Sequence, residues 1–146
     1  MSRITCTRRL EFDAAHRVPG HENKCKHLHG HRYAVEATFA AAHLDKVGRV
    51  VDFGVIKERL GAWLDEQWDH TTILSADDKA LGEAIAAKTG QTIFYLNAPP
   101  TAEHMAAYLL ETVCPKLFAQ SDVKCVAIRI WETPNCYADA LIHPDL

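Results

Sequence analysis

The residues of this chain that could do chemistry are concentrated in the segment Cys25-Lys26-His27-Leu28-His29-Gly30-His31, with His16 a short distance upstream. Imidazole nitrogens and thiolates are the protein ligands that zinc prefers. In a β-strand successive side chains alternate between the two faces, so a strand beginning at His29 would place His29 and His31 on one face. The spacing therefore predicts a zinc site built on this segment.

Two ligand sets fit the spacing. The segment's own candidates would form a closed structural site: Cys25, His27, His29 and His31. The other set takes His16, His29 and His31 and leaves the fourth position open for a substrate, as catalytic zinc sites do. The spacing does not decide between these two sites.

Cys25 has a different role in each case. In the open site it remains a free thiol next to a dication, which lowers the pKa of a thiol, so it could act as a base or nucleophile at neutral pH. Gly30 lies between two of the histidines and allows another group to approach closely, which favours the open site.

Two further positions carry weaker signals. Asp69-His70 ends a predicted helix, and an aspartate that orients a histidine can help it to transfer a proton. Glu132 ends an otherwise apolar strand face that includes Val126, Ile128 and Ile130, where a carboxylate could accept paired N–H donors from a heterocycle. Without context, each could equally be a solvated surface group.

The patterning predicts four main strands and two main helices around these residues. Alternation and β-forming residues predict strands at about 3–13, 29–42, 123–131 and 136–142. Apolar residues at three- and four-residue spacing predict helices at about 53–68 and 102–118, capped by Asp52 and Thr101. We expect Glu103 to favour the start of the second helix, and Pro115 to kink or end it.

Between the two helices, residues 71–100 give a weaker pattern. They predict a short helix from about Ser75 to Ala87 and a short strand at 92–96. Strands at both ends and helices in the middle predict an α+β fold: an antiparallel four-stranded sheet in ββααββ order, with the helices on one face.

Composition restricts the class of protein. A chain of 146 residues, 48% hydrophobic, fits one domain, 1–146. A net charge of −3 gives no reason to expect a nucleic-acid partner. We find no stretch of about twenty apolar residues for a membrane span, and no apolar region of a signal peptide. Five scattered cysteines suit reduced thiols, so we expect a cytoplasmic protein.

The order of short motifs along the chain resembles one family. These motifs are Phe12-Asp13-Ala14-Ala15-His16-Arg17, the cysteine–histidine segment, Val51-Asp52-Phe53, Asp69-His70, Pro100-Thr101-Ala102-Glu103 and Trp131-Glu132-Thr133. Together they resemble the 6-pyruvoyl-tetrahydropterin synthase family, and within it the bacterial 6-carboxy-tetrahydropterin synthases of the queuosine pathway. The resemblance runs from about residue 5 to 136.

The resemblance implies roles for individual residues. It favours the open site, with His16, His29 and His31 as zinc ligands and His27 as a bystander. Cys25 would be the catalytic proton acceptor, and Asp69 and His70 a proton relay. The pterin ring would be held by Glu132, which we count with the catalytic residues, and by the segment that contains Thr101 and Glu103.

The resemblance also implies a reaction and an assembly. Family members act on 7,8-dihydroneopterin triphosphate, and the queuosine branch releases triphosphate and acetaldehyde to leave a 6-carboxy group. The family's tunnelling fold closes its sheet by oligomerisation into trimers and hexamers, a hexamer being a dimer of trimers. The alternatives are a 6-pyruvoyl-tetrahydropterin synthase, or a related lyase acting on a dihydropterin side chain, and a structural zinc module without activity.

Overall fold

A mixed six-stranded sheet is the scaffold of the protein, and its strands run in the order β4-β3-β1-β2-β5-β6. The structure is a computed structural model and describes residues 2–142. The strands are β1 Thr5–His16, β2 His29–Ala41, β3 Thr71–Ser75, β4 Ile93–Leu96, β5 Val123–Thr133 and β6 Cys136–Leu141. Antiparallel pairing joins β1 to β2, β2 to β5 and β5 to β6. Parallel pairing joins β1 to β3 and β3 to β4.

The predicted four-stranded antiparallel sheet was therefore incomplete. Its four strands correspond to β1, β2, β5 and β6, but the described sheet has six strands and two of its pairings are parallel. The strand expected at 92–96 forms as β4. Thr71–Ser75 was missed because all five of its residues are buried, so this parallel strand has no alternating polar pattern.

Three helices lie between strands in the described chain. Helix α1 comprises Phe53–Ile56, a π turn at Lys57–Gly61 and Ala62–Gln67. Helix α2 is Lys79–Thr89, after a 3₁₀ turn at Ala76–Asp78, and corresponds to the short helix expected there. Helix α3 comprises Ala102–Tyr108, a π turn at Leu109–Val113 and Cys114–Leu117. None of the helices within residues 2–142 has the length and apolar character needed to cross a bilayer.

The predicted helix starts are confirmed. The Asp52 carboxylate accepts a hydrogen bond from the Gly54 N–H, and the Thr101 hydroxyl accepts one from the His104 N–H. Pro115 does not end α3. The π turn precedes it and accommodates a residue that has no N–H and whose ring would clash with the preceding turn of an α-helix.

Helices α1 and α3 cover one face of the sheet, which we call the core face, whereas α2 contacts Tyr95 of β4 on the opposite face through Gly82. On β2 this face carries the fully buried Tyr33, Val35, Ala37 and Phe39, in line with His29 and His31 as predicted. The apolar residues of α1 and α3 pack against it, among them Ile56, Leu60, Leu64, Met105 and Leu109.

The opposite face, which we call the outer face, is polar along β1, β2, β5 and β6. Arg9 pairs with Glu36, and Arg32 pairs with Asp13. Arg129 makes a bidentate contact with Asp139. On β5 a register shift lies between Cys125 and Ala127, so Cys125, and not Val126 as predicted, is buried with Ile128 and Ile130.

Candidate active site

Four side chains converge at the end of the core face where β1 ends and β2 begins. One ligand atom from each of His16, His29, His31 and Glu132 lies within 4.8 Å of the others. Cross-strand pairing of His16 with His29 brings the first two together, and their Nε2 atoms are 3.1 Å apart. The Glu132 Oε1 atom lies 3.0 Å from Nε2 of His31 and 3.9 Å from Nε2 of His16.

Backbone carbonyls fix the tautomers of two of these histidines. The Nδ1 of His16 is 2.7 Å from the Pro100 carbonyl oxygen, and the Nδ1 of His29 is 2.7 Å from the His27 carbonyl oxygen. Because a carbonyl can only accept, each Nδ1 carries the proton and donates it. Each Nε2 of a neutral ring is therefore a bare acceptor, as in histidines that bind metals.

The convergence of these acceptors favours a cation. Two bare nitrogens 3.1 Å apart repel each other, and the nearby Glu132 carboxylate adds negative charge. The Nε2 of His31 is buried and has no hydrogen bond of good geometry, although Glu132 lies close. Three imidazoles and a carboxylate are a donor set that suits zinc. The cluster could therefore hold a metal ion.

Burial also favours the neutral state of His16 and His31, in which an imidazole can bind a metal. The side chain of His16 is only 1% exposed, and burial lowers its pKa despite the Pro100 carbonyl and Glu132. Burial likewise lowers the pKa of His31, outweighing the opposing effect of Glu132. Both rings therefore stay neutral to a lower pH than an ordinary histidine, which is the state that binds a metal. Tyr33 packs edge-on against both rings.

Asp69 and His70 form a second group, at the junction between α1 and β3. The Asp69 carboxylate accepts from the Asp13 N–H at 2.9 Å and lies 2.8 Å from Nδ1 of His70. The hydrogen bond with Asp69 raises the pKa of His70. Partial burial opposes ionisation of Asp69, but the contacts with Asp13 and His70 outweigh it and lower its pKa. Asp69 thus orients the His70 ring and makes it easier to protonate.

The second group belongs to the outer face. Its histidine lies with Asp69 and the Asp13 carboxylate, and that carboxylate also binds Arg32 at 2.9 Å. Asp13 and Arg32 alternate with Ala14 and His31, which point to the core face. The side chain of His70 is 77% exposed and borders an open cavity of about 370 Å³, which Gly30 and His31 also line. Within one chain, the His70 ring lies with Asp13 on the outer face, whereas the ring nitrogens of the cluster converge on the core face.

Cys25 and His27 are not in either group. Cys25 is a half-buried free thiol in the 3₁₀ turn Lys24–Lys26, just before β2. The side chain of His27 is exposed, and its contribution to the cluster is the backbone carbonyl that orients His29. Of the two predicted ligand sets, the structure brings together the one that contains His16.

Thr101 and Glu103 begin α3, directly after the Pro100 carbonyl that orients His16. The Thr101 hydroxyl is half-buried and is used as the helix cap, whereas Glu103 is exposed in the first turn. This segment therefore borders the histidine cluster through its backbone.

Sequence reasoning missed the backbone contribution of Pro100 and His27, and the part that Asp13 and Arg32 play beside His70. A carbonyl leaves no trace in residue type, so the first two had no signal. The alternation around Phe12 and Tyr33 could have placed Asp13 and Arg32 together on the outer face.

Comparisons with known proteins identify the family of the chain. The sequence profile described as 6-pyruvoyl tetrahydropterin synthase matches residues 5–141. A protein of Rickettsia bellii named 6-carboxy-5,6,7,8-tetrahydropterin synthase is 49% identical over 136 residues, which cover 93% of this chain and 99% of that protein. The protein of the same name from Aquifex aeolicus is 33% identical, covering 80% of this chain and 75% of its own length.

Solved structures share the fold. An uncharacterized protein from Wolinella succinogenes has a TM-score of 0.81 at 22% identity, and covers 98% of this chain and all of its own. The 6-pyruvoyl tetrahydropterin synthase of Caenorhabditis elegans has a TM-score of 0.64 at 24% identity, with the same coverage. The chain belongs to the 6-pyruvoyl tetrahydropterin synthase family and is an enzyme of the lyase class.

Proposed function

We propose that this enzyme converts 7,8-dihydroneopterin triphosphate into 6-carboxy-5,6,7,8-tetrahydropterin, releasing acetaldehyde and triphosphate, as a step of queuosine biosynthesis. The names of the relatives support the product, since the Rickettsia bellii protein is matched over almost its whole length. The observation that carries the proposal is the cluster of imidazoles around the buried His16, whose converging Nε2 acceptors suit a cation.

His16, His29 and His31 would hold a zinc ion through their Nε2 atoms. When bound, zinc would supply Lewis-acid chemistry, polarising oxygen atoms of the substrate side chain. The Pro100 and His27 carbonyls keep two of the ligands in the metal-binding tautomer before any ion arrives.

Proton transfer would fall to Cys25 and His70. Asp69 holds His70 by its Nδ1, so the Nε2 of that ring is free to give or take a proton at the substrate. The Cys25 thiol has no disulfide partner and lies in the turn that leads into the two ligands of β2. The carboxylate of Glu132 would bind the N–H edge of the pterin ring, and the segment of Thr101 and Glu103 would border the pocket.

A complete site then needs two copies of the chain, because in one copy the His70 ring and the ring nitrogens of the cluster lie on opposite faces of the sheet. We therefore propose a homo-oligomer, a trimer or a hexamer formed as a dimer of trimers. Within residues 2–142, the β1 edge at residues 5–13 and the outer edge of β6 have no partner strand, so copies could join edge to edge. The paired charges of the outer face suit a water-filled lumen of the resulting barrel.

Product analysis tests this proposal. The zinc-loaded protein would be incubated with 7,8-dihydroneopterin triphosphate, and acetaldehyde and the pterin product would be identified by mass spectrometry. We expect acetaldehyde and the 6-carboxy product in equal amounts. A 6-pyruvoyl product without acetaldehyde, or an unchanged substrate, would contradict the proposal.

A further inference from the structure

Glu132 reaches the histidine cluster from a different strand than the three imidazoles. It follows the buried Ile128 and Ile130 on β5, and the same alternation directs its side chain to the core face. Its Oε1 is as close to His31 Nε2 as the Nε2 atoms of His16 and His29 are to each other, 3.0 Å against 3.1 Å. The carboxylate therefore occupies a corner of the acceptor cluster.

The separations between these ligand atoms are compatible with a closed tetrahedral site. Zinc binds nitrogen and carboxylate oxygen at about 2.0–2.2 Å, so the ligand atoms of a tetrahedron lie about 3.3–3.6 Å apart. The separations of 3.0, 3.1 and 3.9 Å bracket that range. A set of three histidines and one carboxylate leaves no position for a substrate oxygen. Such a set would be closed to substrate until one ligand leaves the metal.

The proposed ring contact conflicts with this arrangement. A carboxylate that binds the paired N–H groups of a pterin edge uses both of its oxygens. If Oε1 were on the metal, only Oε2 would remain for the ring, and the paired contact could not form. Glu132 can therefore serve the metal or the ring, but not both fully at once.

We propose that Glu132 is the fourth metal ligand of the substrate-free enzyme, and that it leaves the metal when its carboxylate binds the substrate ring. The inference rests on the proposed function, because it takes the ligand ring to be a pterin. Ring binding then opens the fourth position for the side-chain oxygens. A molecule that lacks the paired N–H edge leaves the site closed, so ring recognition controls access to the metal.

Zinc affinity tests the ligand role. Chelator competition would be measured for the wild type, Glu132→Gln and Glu132→Ala, with circular dichroism to verify folding. We expect both variants to bind zinc at least about tenfold more weakly. The matched control is Glu36→Gln, which removes a carboxylate from the outer face of the adjacent strand and should bind zinc like the wild type. Wild-type affinity in both Glu132 variants would overturn the proposal.

The proposed movement of Glu132 from the metal to the substrate ring can be tested by spectroscopy. Cobalt would replace zinc, and unsubstituted pterin, which has the ring but no side-chain hydroxyls, would be added while the visible absorption is recorded. We expect pterin to change the wild-type spectrum, and Glu132→Ala to show no such change. An unchanged wild-type spectrum at a pterin concentration that saturates binding, followed by pterin fluorescence, would overturn the exchange.

A variant of His16 distinguishes a failure of the inference about Glu132 from a failure of the proposed metal site. His16→Ala should lose zinc more severely than the Glu132 variants, since it removes a central ligand. If His16→Ala loses zinc and the Glu132 variants keep it, the inference about Glu132 fails and the proposed metal site stands. If His16→Ala also keeps zinc, the proposed function fails at the metal site itself.

Discussion

His31 and Arg32 are neighbours in β2, and their side chains lie on opposite faces of the sheet. His31 joins the imidazole cluster beside Glu132, whereas Arg32 binds the Asp13 carboxylate next to His70. One residue step therefore separates the cluster proposed to bind zinc from the histidine proposed to transfer protons. A chain that needs both at one substrate must obtain one of them from another copy.

Mixed oligomers test this arrangement. His29→Ala and His70→Ala would each be inactive alone, because one lacks a ligand and the other lacks the proton-transfer group. If the two groups come from different copies, co-expression of both variants in equal amounts should restore about a quarter of the wild-type activity, the fraction of sites with both groups intact.

The control for the mixture is expression of each variant alone, which should give no activity. Both variants must also elute as wild-type-sized oligomers in size-exclusion chromatography. If the mixture is as inactive as its components, both groups belong to one chain, and the two-copy site is wrong.

Asp69 should raise the pKa of His70. Replacing it by asparagine removes the charge and the strong acceptor, so the pKa of His70 should fall towards that of an ordinary histidine. Nuclear magnetic resonance titration of the His70 ring measures this directly. Because the folded pKa is raised, this contact stabilises the fold fully below the unfolded pKa and is lost as the pH rises through the folded value. An identical pKa in Asp69→Asn would disprove the contact.

The metal-free protein should lose stability in mild acid. Burial lowers the pKa values of His16 and His31, so between their folded values and the ordinary value of 6.5 the unfolded chain binds more protons. The free energy of unfolding, measured by urea denaturation with a chelator present, should therefore fall as the pH falls below about 6.5. Substituting His16 by glutamine should flatten this dependence. A curve that is flat in the unsubstituted protein would contradict the lowered pKa values.

Cys25 should affect turnover without affecting the metal. Cys25→Ala removes the thiol, and we expect turnover to fall by about 100-fold or more, as for the loss of a general acid–base group. Zinc content should be unchanged, because Cys25 lies outside the imidazole cluster. Cys136→Ala, which removes an exposed thiol of β6, is the matched control and should keep full turnover. Undiminished turnover in Cys25→Ala would remove the thiol from the mechanism.

Much of the fold could be predicted from periodicity. The alternation through Tyr33, Val35, Ala37 and Phe39 fixed the core face of β2, and Asp52 marked the start of α1. Thr71–Ser75 could not be recognised, because a strand buried on both faces has no alternation. The turn that leads into β3 contains His70, whose positive φ of 59° is not visible in the residue types.

Only part of the candidate site could be predicted, from the spacing of its side chains along the sequence. The spacing of His29 and His31 placed both on one face, but spacing alone left His16 and His27 as equal candidates. The choice between them depends on the cross-strand pairing of His16 with His29. Pairing is a tertiary feature, as is the separation of His70 from the cluster, so neither could be derived from local pattern.

The zinc content of two variants tests the central claim most directly. Protein purified with zinc would be analysed by inductively coupled plasma mass spectrometry as wild type, His16→Ala and His27→Ala. We predict about one zinc per chain in the wild type and in His27→Ala, and almost none in His16→Ala. Zinc retained in His16→Ala and lost in His27→Ala would mean a structural site on the 25–31 segment and would contradict the account.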